Sequence, residues 1–441
     1  MTSSSPSPSY LIIGSGVFGA STALHLIQSR PSASITLIDR DAHTAPIRVA
    51  ASWDWNKVIR SDYADIVYTR LGLEAQALWR NDPLFKPFYH ESGVAWISSG
   101  GNPFGERAVR NFEELGAKQD VRSIGVEETK GLWDGFLKGA DFTEVDGEKG
   151  VLVNNSSGWA EAKEALQATI QAAVDLGVKY VVAEVKGVVV EEGTCKGVVM
   201  AEGERLEADR VVLCTGAYTP KLLIDSAPEW EGLHAGGRMV AMAVTEATVP
   251  LEEVEARKLG TRPVAINDNP KERGFEVGCL PLSNINAFKC WGQVIFRNST
   301  GDISTPLQSP SYKEAQWNVP ESLQDDVRWA LRSLFGADGE KLPMENFRIC
   351  WDAVTPSEDF IISPHSATKG LYVATCGSFH GFKFLPVLGK YVVEMLDGKL
   401  DPALKKKWAW DREQPSIISH KQLSSVEYRD LLDKQPAENG Q

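Results

Sequence analysis

The chain has 441 residues, 43% of them hydrophobic and 24% charged, with a formal net charge of −13 from 46 Lys and Arg against 59 Asp and Glu. That length is enough for two or more domains around a large core. The acidic balance argues against nucleic acid or an anionic membrane as partner, and apolar runs such as 239–244 are too short to span a bilayer.

The polar start, Met1 to Ser9, lacks the basic and apolar regions of a secretory signal, and the end, Pro436 to Gln441, carries no Ser-Lys-Leu address. A cytoplasmic location is therefore expected. The six cysteines, at 195, 214, 279, 290, 350 and 376, show no metal-ligand spacing. They predict reduced thiols, no disulfide framework and no metal site.

The first predicted element is a buried strand, Tyr10-Leu-Ile-Ile, followed by Gly14-Ser-Gly16-Val17-Phe18-Gly19, a helix, and a second strand ending at Asp39-Arg40. Each part has a chemical reason. Gly14 permits a tight turn, Gly16 lets backbone approach a pyrophosphate, and Gly19 lets the helix pack against the strand. The helix start at Val17 and Phe18 offers unpaired N–H groups to phosphates. Asp39, 25 residues after Gly14, is placed to accept from ribose hydroxyls, with Arg40 beside it. The motif implies a dinucleotide and leaves nicotinamide and flavin both open.

Further along, apolar spacing predicts helices over 73–80 and 108–115, and a long amphipathic helix over 160–176 stopped by Gly177. Short β runs follow at 178–182, 185–191 (opening on Val185), 197–201 and 210–214, the last entering Thr215-Gly216. From Met239 onward, long stretches rich in aromatic and β-branched residues predict an antiparallel sheet. The run 370–377 returns to the form of a buried strand with a glycine, leading into a helix over 389–396. The predicted fold is α/β. A Rossmann-like nucleotide domain built from 1–60, 150–225 and 345–415 is interleaved with an antiparallel-sheet α+β substrate domain from 61–149 and 226–344, with 416–441 as a tail. Such interleaving favours a flavoprotein over a dehydrogenase, whose nucleotide domain is usually one block.

Four stretches sharpen this: Asp54-Trp-Asn56-Lys57-Val-Ile-Arg60, Ser157-Gly158-Trp159, Arg348-Ile-Cys350-Trp-Asp352, and Gly377-Ser-Phe-His380-Gly381-Phe382-Lys383-Phe-Leu-Pro386. With the opening motif, and in that order, they resemble the D-amino-acid-oxidase-like flavoproteins, specifically the sarcosine oxidase and fungal amadoriase branch. The resemblance covers about Ser9 to Arg412. It implies a glutathione-reductase-like FAD domain and FAD tethered through a thioether to Cys350. It also implies an oxygen-activating Lys289, a basic Lys57 near the flavin, and Lys383 at the substrate. Ser52, Asn56, Asp352, Gly377, His380, Gly381 and Phe382 are expected around the cofactor, with Val185 and Gly216 from the second segment.

On residue type alone, Cys350 reads as a small buried hydrophobe, Lys289 as a solvated strand lysine and Lys57 as a surface charge. Arg60 matches the arginine with which sarcosine and pipecolate oxidases grip a carboxylate. Trp408-Ala-Trp410-Asp-Arg412 resembles an amadoriase stretch, with Arg412 shifted one place from the family's carboxylate-binding arginine. The acid that amadoriases carry after the oxygen-site lysine is not evident, and Gln293 stands nearby.

The expected activity is oxidation of the C–N bond of an N-substituted α-amino acid by a monomer or small homo-oligomer. The imine is hydrolysed and O2 becomes H2O2. Sarcosine, pipecolate, saccharopine and Amadori adducts all fit. A biosynthetic oxidase that cyclises an N-methyl amino acid through an iminium is the alternative.

Overall fold

A computed structural model describes residues 8–268, 276–282, 285–413 and 426–432. The expected tail, 416–441, lies outside the described residues except for 426–432, as does the start of the polar N-terminal stretch.

The opening strand, Tyr10–Ile13, sits inside a six-stranded sheet. The order is Ile361–Pro364, Leu371–Thr375, Arg210–Leu213, Tyr10–Ile13, Ile35–Asp39, Lys179–Val182. All neighbours run parallel except the Ile361–Pro364 edge. A parallel sheet needs cover on both faces, which is why these strands are near-continuous apolar runs. Tyr10 and Ile12 pack into one core with the helices Val17–Ser29, Ala162–Asp175 and Leu388–Leu396. Leu11 and Ile13 point the other way, into a core shared with the antiparallel strands Val185–Glu191 and Thr194–Met200 and the helix Thr219–Ser226.

The second sheet has eight strands, in the order Glu345–Val354, Val240–Pro250, Ala287–Trp291, Val277–Leu282, Val264–Asp268, Val94–Ser98, Val151–Asn154, Val121–Ile124. It is antiparallel except between Val264–Asp268 and Val94–Ser98. The helix Glu321–Phe335 covers part of one face through Val327, Leu331 and Leu334. A small sheet of Asn56–Ile59, Gly158–Glu161 and Tyr89–His90 adjoins both bodies.

Several boundaries differ from the sequence expectation. Val151–Asn154 and Glu345–Val354 pair within the eight-stranded sheet, so the expected nucleotide segments starting at 150 and 345 each open on a strand of the other sheet. The long helix starts at Ala162, because Gly158–Glu161 is drawn into pairing with Asn56–Ile59. The helix expected over 73–80 runs over Ile66–Asn81, capped by the Asp65 carboxylate accepting from the Val67 N–H at 2.8 Å.

Two close approaches fix the nucleotide body. A Cβ on Gly19 would lie 1.8 Å from the Gly14 carbonyl oxygen, and one on Gly389 would lie 2.0 Å from the Ser21 carbonyl oxygen. The glycine turn after the first strand, the helix Val17–Ser29 and the helix Leu388–Leu396 therefore dock at backbone distance. Gly19→Ala should lower stability by about 3 kcal/mol through overpacking. A urea midpoint equal to that of the wild type would show that this approach is not required.

Candidate active site

Gly14 adopts φ +95° and donates its N–H to the Ile38 carbonyl at 2.7 Å. A Cβ there would lie 2.6 Å from the Cys214 carbonyl oxygen, so only glycine fits the turn. Gly16 precedes a 13-residue helix whose first N–H groups receive no side-chain cap, leaving an anion-binding end. Asp39 is tied to this turn. Its Oδ2 accepts from the Ser15 N–H at 2.7 Å, the Ser15 hydroxyl at 3.0 Å and Arg48 Nη2 at 3.0 Å. The expected ribose acceptor therefore also clamps the glycine turn. Arg48, 1% exposed, has no partner for Nε or Nη1 among the described residues. The Arg40 guanidinium lies between the rings of Tyr218 and Tyr312, 4.0 and 4.1 Å from their centroids.

A cavity of about 730 Å³ runs from this turn to the eight-stranded sheet, within the size range of cofactor and ligand sites. Gly14, Gly16, Val17, Phe18, Asp39, Arg40, Ser52, Val185 and Gly216 line it at the nucleotide end. Lys57, Lys289, Cys350, Asp352, Gly377, His380, Gly381, Phe382, Lys383 and Arg60 also line it. Gly19 and Asn56 stand behind the wall. Gly19 sets the helix packing, and Asn56 donates its side-chain amide to the Pro281 carbonyl at 2.8 Å.

Behind Cys350 lies a buried charge cluster. Asp54 Oδ2 accepts from Lys57 Nζ at 2.6 Å and Lys289 Nζ at 2.5 Å, and Oδ1 lies 3.3 Å from Arg348 Nη2. Glu246 contacts Lys289 through Oε2 at 3.1 Å and receives Arg348 Nε on Oε1 at 2.7 Å. Three cations thus share two carboxylates, leaving one net positive charge beside the cavity. Burial alone would raise Asp54, but Lys289, Lys57 and Arg348 outweigh it and hold the acid well below the usual carboxylate range. Lys57 is raised in turn, Asp54 overcoming the opposing effect of burial. Burial pushes the Cys350 thiol up, with Lys57 pulling against it.

The turn after Leu371–Thr375 is strained, with Cys376, Ser378 and Phe379 at φ +68°, +46° and +62°. The Asp352 carboxylate holds it by accepting the Phe379 N–H at 2.8 Å. Burial raises Asp352 to about 6.

At the far end, the Arg60 guanidinium stacks between Tyr63 and Trp96, at 4.4 and 4.7 Å. It is anchored by Nη1 to the Asp62 backbone carbonyl and to Asp62 Oδ2. Lys383 Nζ donates to the His380 carbonyl at 2.8 Å. Burial, followed by the nearby Arg60 charge, pushes Lys383 well below the usual lysine range. His380 is fixed between the Tyr63 hydroxyl at 3.3 Å and the Glu358 carbonyl at 2.8 Å. Asp268 and Glu276 line the same end, with Asn102 donating to Asp268 at 2.9 Å.

One expected ligand is displaced. Arg412 is not in the cavity wall. Its guanidinium clamps backbone carbonyls, Phe360 at 2.7 Å and Asp359 at 3.2 Å, and its one-place shift in the sequence leaves it holding a chain turn. Sequence reasoning missed Arg48, Glu246 and the role of Arg348. Only Glu246 had a visible signal, as the single acid inside the apolar run 240–249. The other two become legible only through partners distant in the chain.

The site fits FAD. The turn that excludes a side chain, the uncapped helix start beside Arg48, and a cavity reaching from there to Cys350 match a long, anionic, partly apolar cofactor. The family model described as FAD dependent oxidoreductase (DAO) matches residues 9–395. The chain is 29% identical to the amino acid oxidase imqH of Aspergillus flavus, over 95% of this chain and all of that protein. It is 26% identical to the L-saccharopine oxidase of Schizosaccharomyces pombe, over 95% of this chain and 97% of that one. Among solved structures, a modified fructosyl peptide oxidase from Aspergillus nidulans superposes with a TM-score of 0.80 at 25% identity, covering 98% of this chain and all of the other. Glycine turn, cavity and family match agree: the chain belongs to the DAO family of FAD-dependent oxidoreductases.

Proposed function

We propose that this enzyme oxidises the C–N bond of an N-substituted α-amino acid, with O2 as the electron acceptor and H2O2 as product. The observation that carries the reading is the pairing, in one cavity, of a preorganised Arg60 with the cation-backed Cys350 wall. The amino acid oxidase and saccharopine oxidase relatives support it.

Arg60, held flat between two rings and tethered at Nη1, presents the rest of its fork to a substrate carboxylate. Tyr63 and Trp96 exclude water around that contact. Lys383 adds a hydrogen-bonding group at the same end, where burial and the Arg60 charge disfavour its ammonium form; the same two influences disfavour a substrate ammonium and favour the neutral amine that must react. FAD, when bound, supplies the two-electron acceptor. Cys350 is the thioether tether in this reading, which keeps the cofactor in place during turnover.

Four outcomes follow. Under anaerobic conditions, N-alkyl amino acids should bleach the yellow enzyme while their primary amino acid parents do so far more slowly; bleaching by none of a broad secondary-amine panel would end this reading. Arg60→Ala should raise KM for a carboxylate substrate by about 10- to 100-fold, the value of a charge-assisted contact, and an unchanged KM would remove Arg60 from the site. Acid precipitation should leave the wild-type pellet yellow and release the flavin of Cys350→Ala; colour released from both would exclude the tether. The last concerns Lys383, whose folded-state pKa lies below its ordinary 10.5. Between those values the unfolded chain binds the extra proton, so stability rises with pH through that window. Lys383→Met should lack this rise in denaturation curves taken from neutral to alkaline pH, and identical slopes would mean that Lys383 is charged.

A further inference from the structure

Residues 377–383 line the cavity and connect its Cys350 wall to the Arg60 cleft. They leave the strand Leu371–Thr375 through a turn in which Cys376, Ser378 and Phe379 take φ values of +68°, +46° and +62°. In that region a side chain crowds its own backbone, so the shape persists only where partners impose it.

One partner is Asp352, half-buried at the cavity wall on the strand Glu345–Val354 of the other sheet. Its Oδ2 accepts the Phe379 N–H at 2.8 Å, and its Oδ1 accepts the Ala353 N–H at 2.8 Å. The turn packs so tightly on this carboxylate that a Cβ on Gly377 would lie 2.9 Å from Oδ2. The Ser378 N–H also reaches the Ala353 carbonyl at 3.0 Å. An ionised carboxylate offers an acceptor to both N–H groups, whereas protonation turns one oxygen into a donor. The groups facing Asp352 are the Lys57 ammonium from Asn56–Ile59 and the Cys376 thiol of the turn. The Cys350 thiol stands two places back on its own strand. Lys57 favours the carboxylate and burial opposes it.

The next residue after the turn carries its position to the substrate end. His380 meets the Tyr63 hydroxyl at 3.3 Å and stacks on Phe360 with centroids 5.0 Å apart. The Tyr63 ring lies 4.4 Å from the Arg60 guanidinium. The His380 carbonyl accepts from Lys383 at 2.8 Å. A turn that relaxed to ordinary φ values would shift His380, and with it the supports of both cations in the cleft.

On the oxidase reading given above, we propose that Asp352 is a positioning residue for substrate binding. Its carboxylate fixes the turn 376–379, and through His380 and Tyr63 the turn fixes the Arg60 guanidinium in the attitude that grips a carboxylate. Burial raises Asp352 to about 6, so its hold on the turn is complete at neutral pH and is lost as the pH falls through that value. Carboxylate affinity weakens in the same direction. Protonation of Lys383 or His380 would act with the opposite sign, since added positive charge in the cleft tightens binding of an anion.

The test titrates the flavin-loaded holoenzyme with methylthioacetate and reads the change in flavin absorbance. In this probe sulfur replaces the amine nitrogen, and its carboxylate stays ionised from about pH 5 upward, so the pH dependence belongs to the protein. Wild-type affinity should fall by about tenfold between about pH 7.5 and 5, the cost of a misplaced binding group. Asp352→Asn, with one acceptor oxygen, should bind about tenfold more weakly at neutral pH and show no further fall. Tyr63→Phe keeps the ring beside Arg60 but removes its hydroxyl from His380, and it should abolish the fall as well. An Asp352→Asn profile that matches wild type overturns the proposal. If that variant does not fold, a Tyr63→Phe profile that matches wild type overturns it. Wild-type binding that is absent, or flat with pH, does the same. Bleaching by the N-alkyl amino acids together with a flat profile overturns this inference and leaves the oxidase reading standing. No bleaching, with the expected Asp352 pattern, overturns the oxidase reading alone.

Discussion

The rest of the site depends on one buried carboxylate. Asp54 receives two lysines on one oxygen and lies within reach of Arg348 on the other. It comes from the segment that leaves the nucleotide unit, while Lys289, Arg348 and their second partner Glu246 come from three neighbouring strands of the eight-stranded sheet. The ion cluster is therefore also the join between the two bodies behind the cavity wall. Removing either carboxylate of this group would leave two uncompensated positive charges in a largely dry interior, typically a loss of about 3–5 kcal/mol. A protein bears such an arrangement when it must hold a charge at a fixed place, and here that place is the wall around Cys350.

The opposite end of the cavity is organised by absence of side chains. Gly14, Gly19 and Gly389 permit contacts that a single methyl group would block, and the first helix then meets the cavity with bare N–H groups. Asp39, Ser15 and Arg48 lock that turn with hydrogen bonds of 2.5 to 3.0 Å. One end is thus shaped by close backbone approach and the other by compensated charge, and a cofactor with a diphosphate at one end and a redox ring at the other has reason to need both.

Much of this was legible in the sequence, for definite reasons. The glycine turn, the strand ending at Asp39 and the strand entering Gly377 are local patterns, and each element formed within a few residues of its expected place. The boundaries at 150 and 345 were misplaced because an apolar strand does not state which sheet it joins; Val151–Asn154 and Glu345–Val354 are specified by partners far away in the chain. Lys57, Arg60, Lys289 and Lys383 were found by motif, and the structure brings all four to the cavity wall. Their differences were hidden. Nothing near Lys289 in sequence announces Asp54 or Glu246, and nothing near Lys383 announces the burial that shifts it. Arg412 shows the converse, since a matching motif one residue out of step put its guanidinium on backbone carbonyls instead.

The stacked Arg40 ties the nucleotide end of the cavity to a distant part of the chain. Tyr312 covers one face of that guanidinium, and it and Lys313 both contact Asp41, at 3.0 and 2.7 Å. Residues some 270 positions apart therefore meet at the nucleotide end. Arg40 and Asp41 line the cavity there, so a cofactor seated in it rests against residues that this crossing holds. A cofactor that binds the native arrangement stabilises it by mass action, as any ligand of the native state does. Cofactor occupancy and the cohesion of distant chain segments are then one linked equilibrium, in which heat resistance rises with the fraction of molecules that carry flavin.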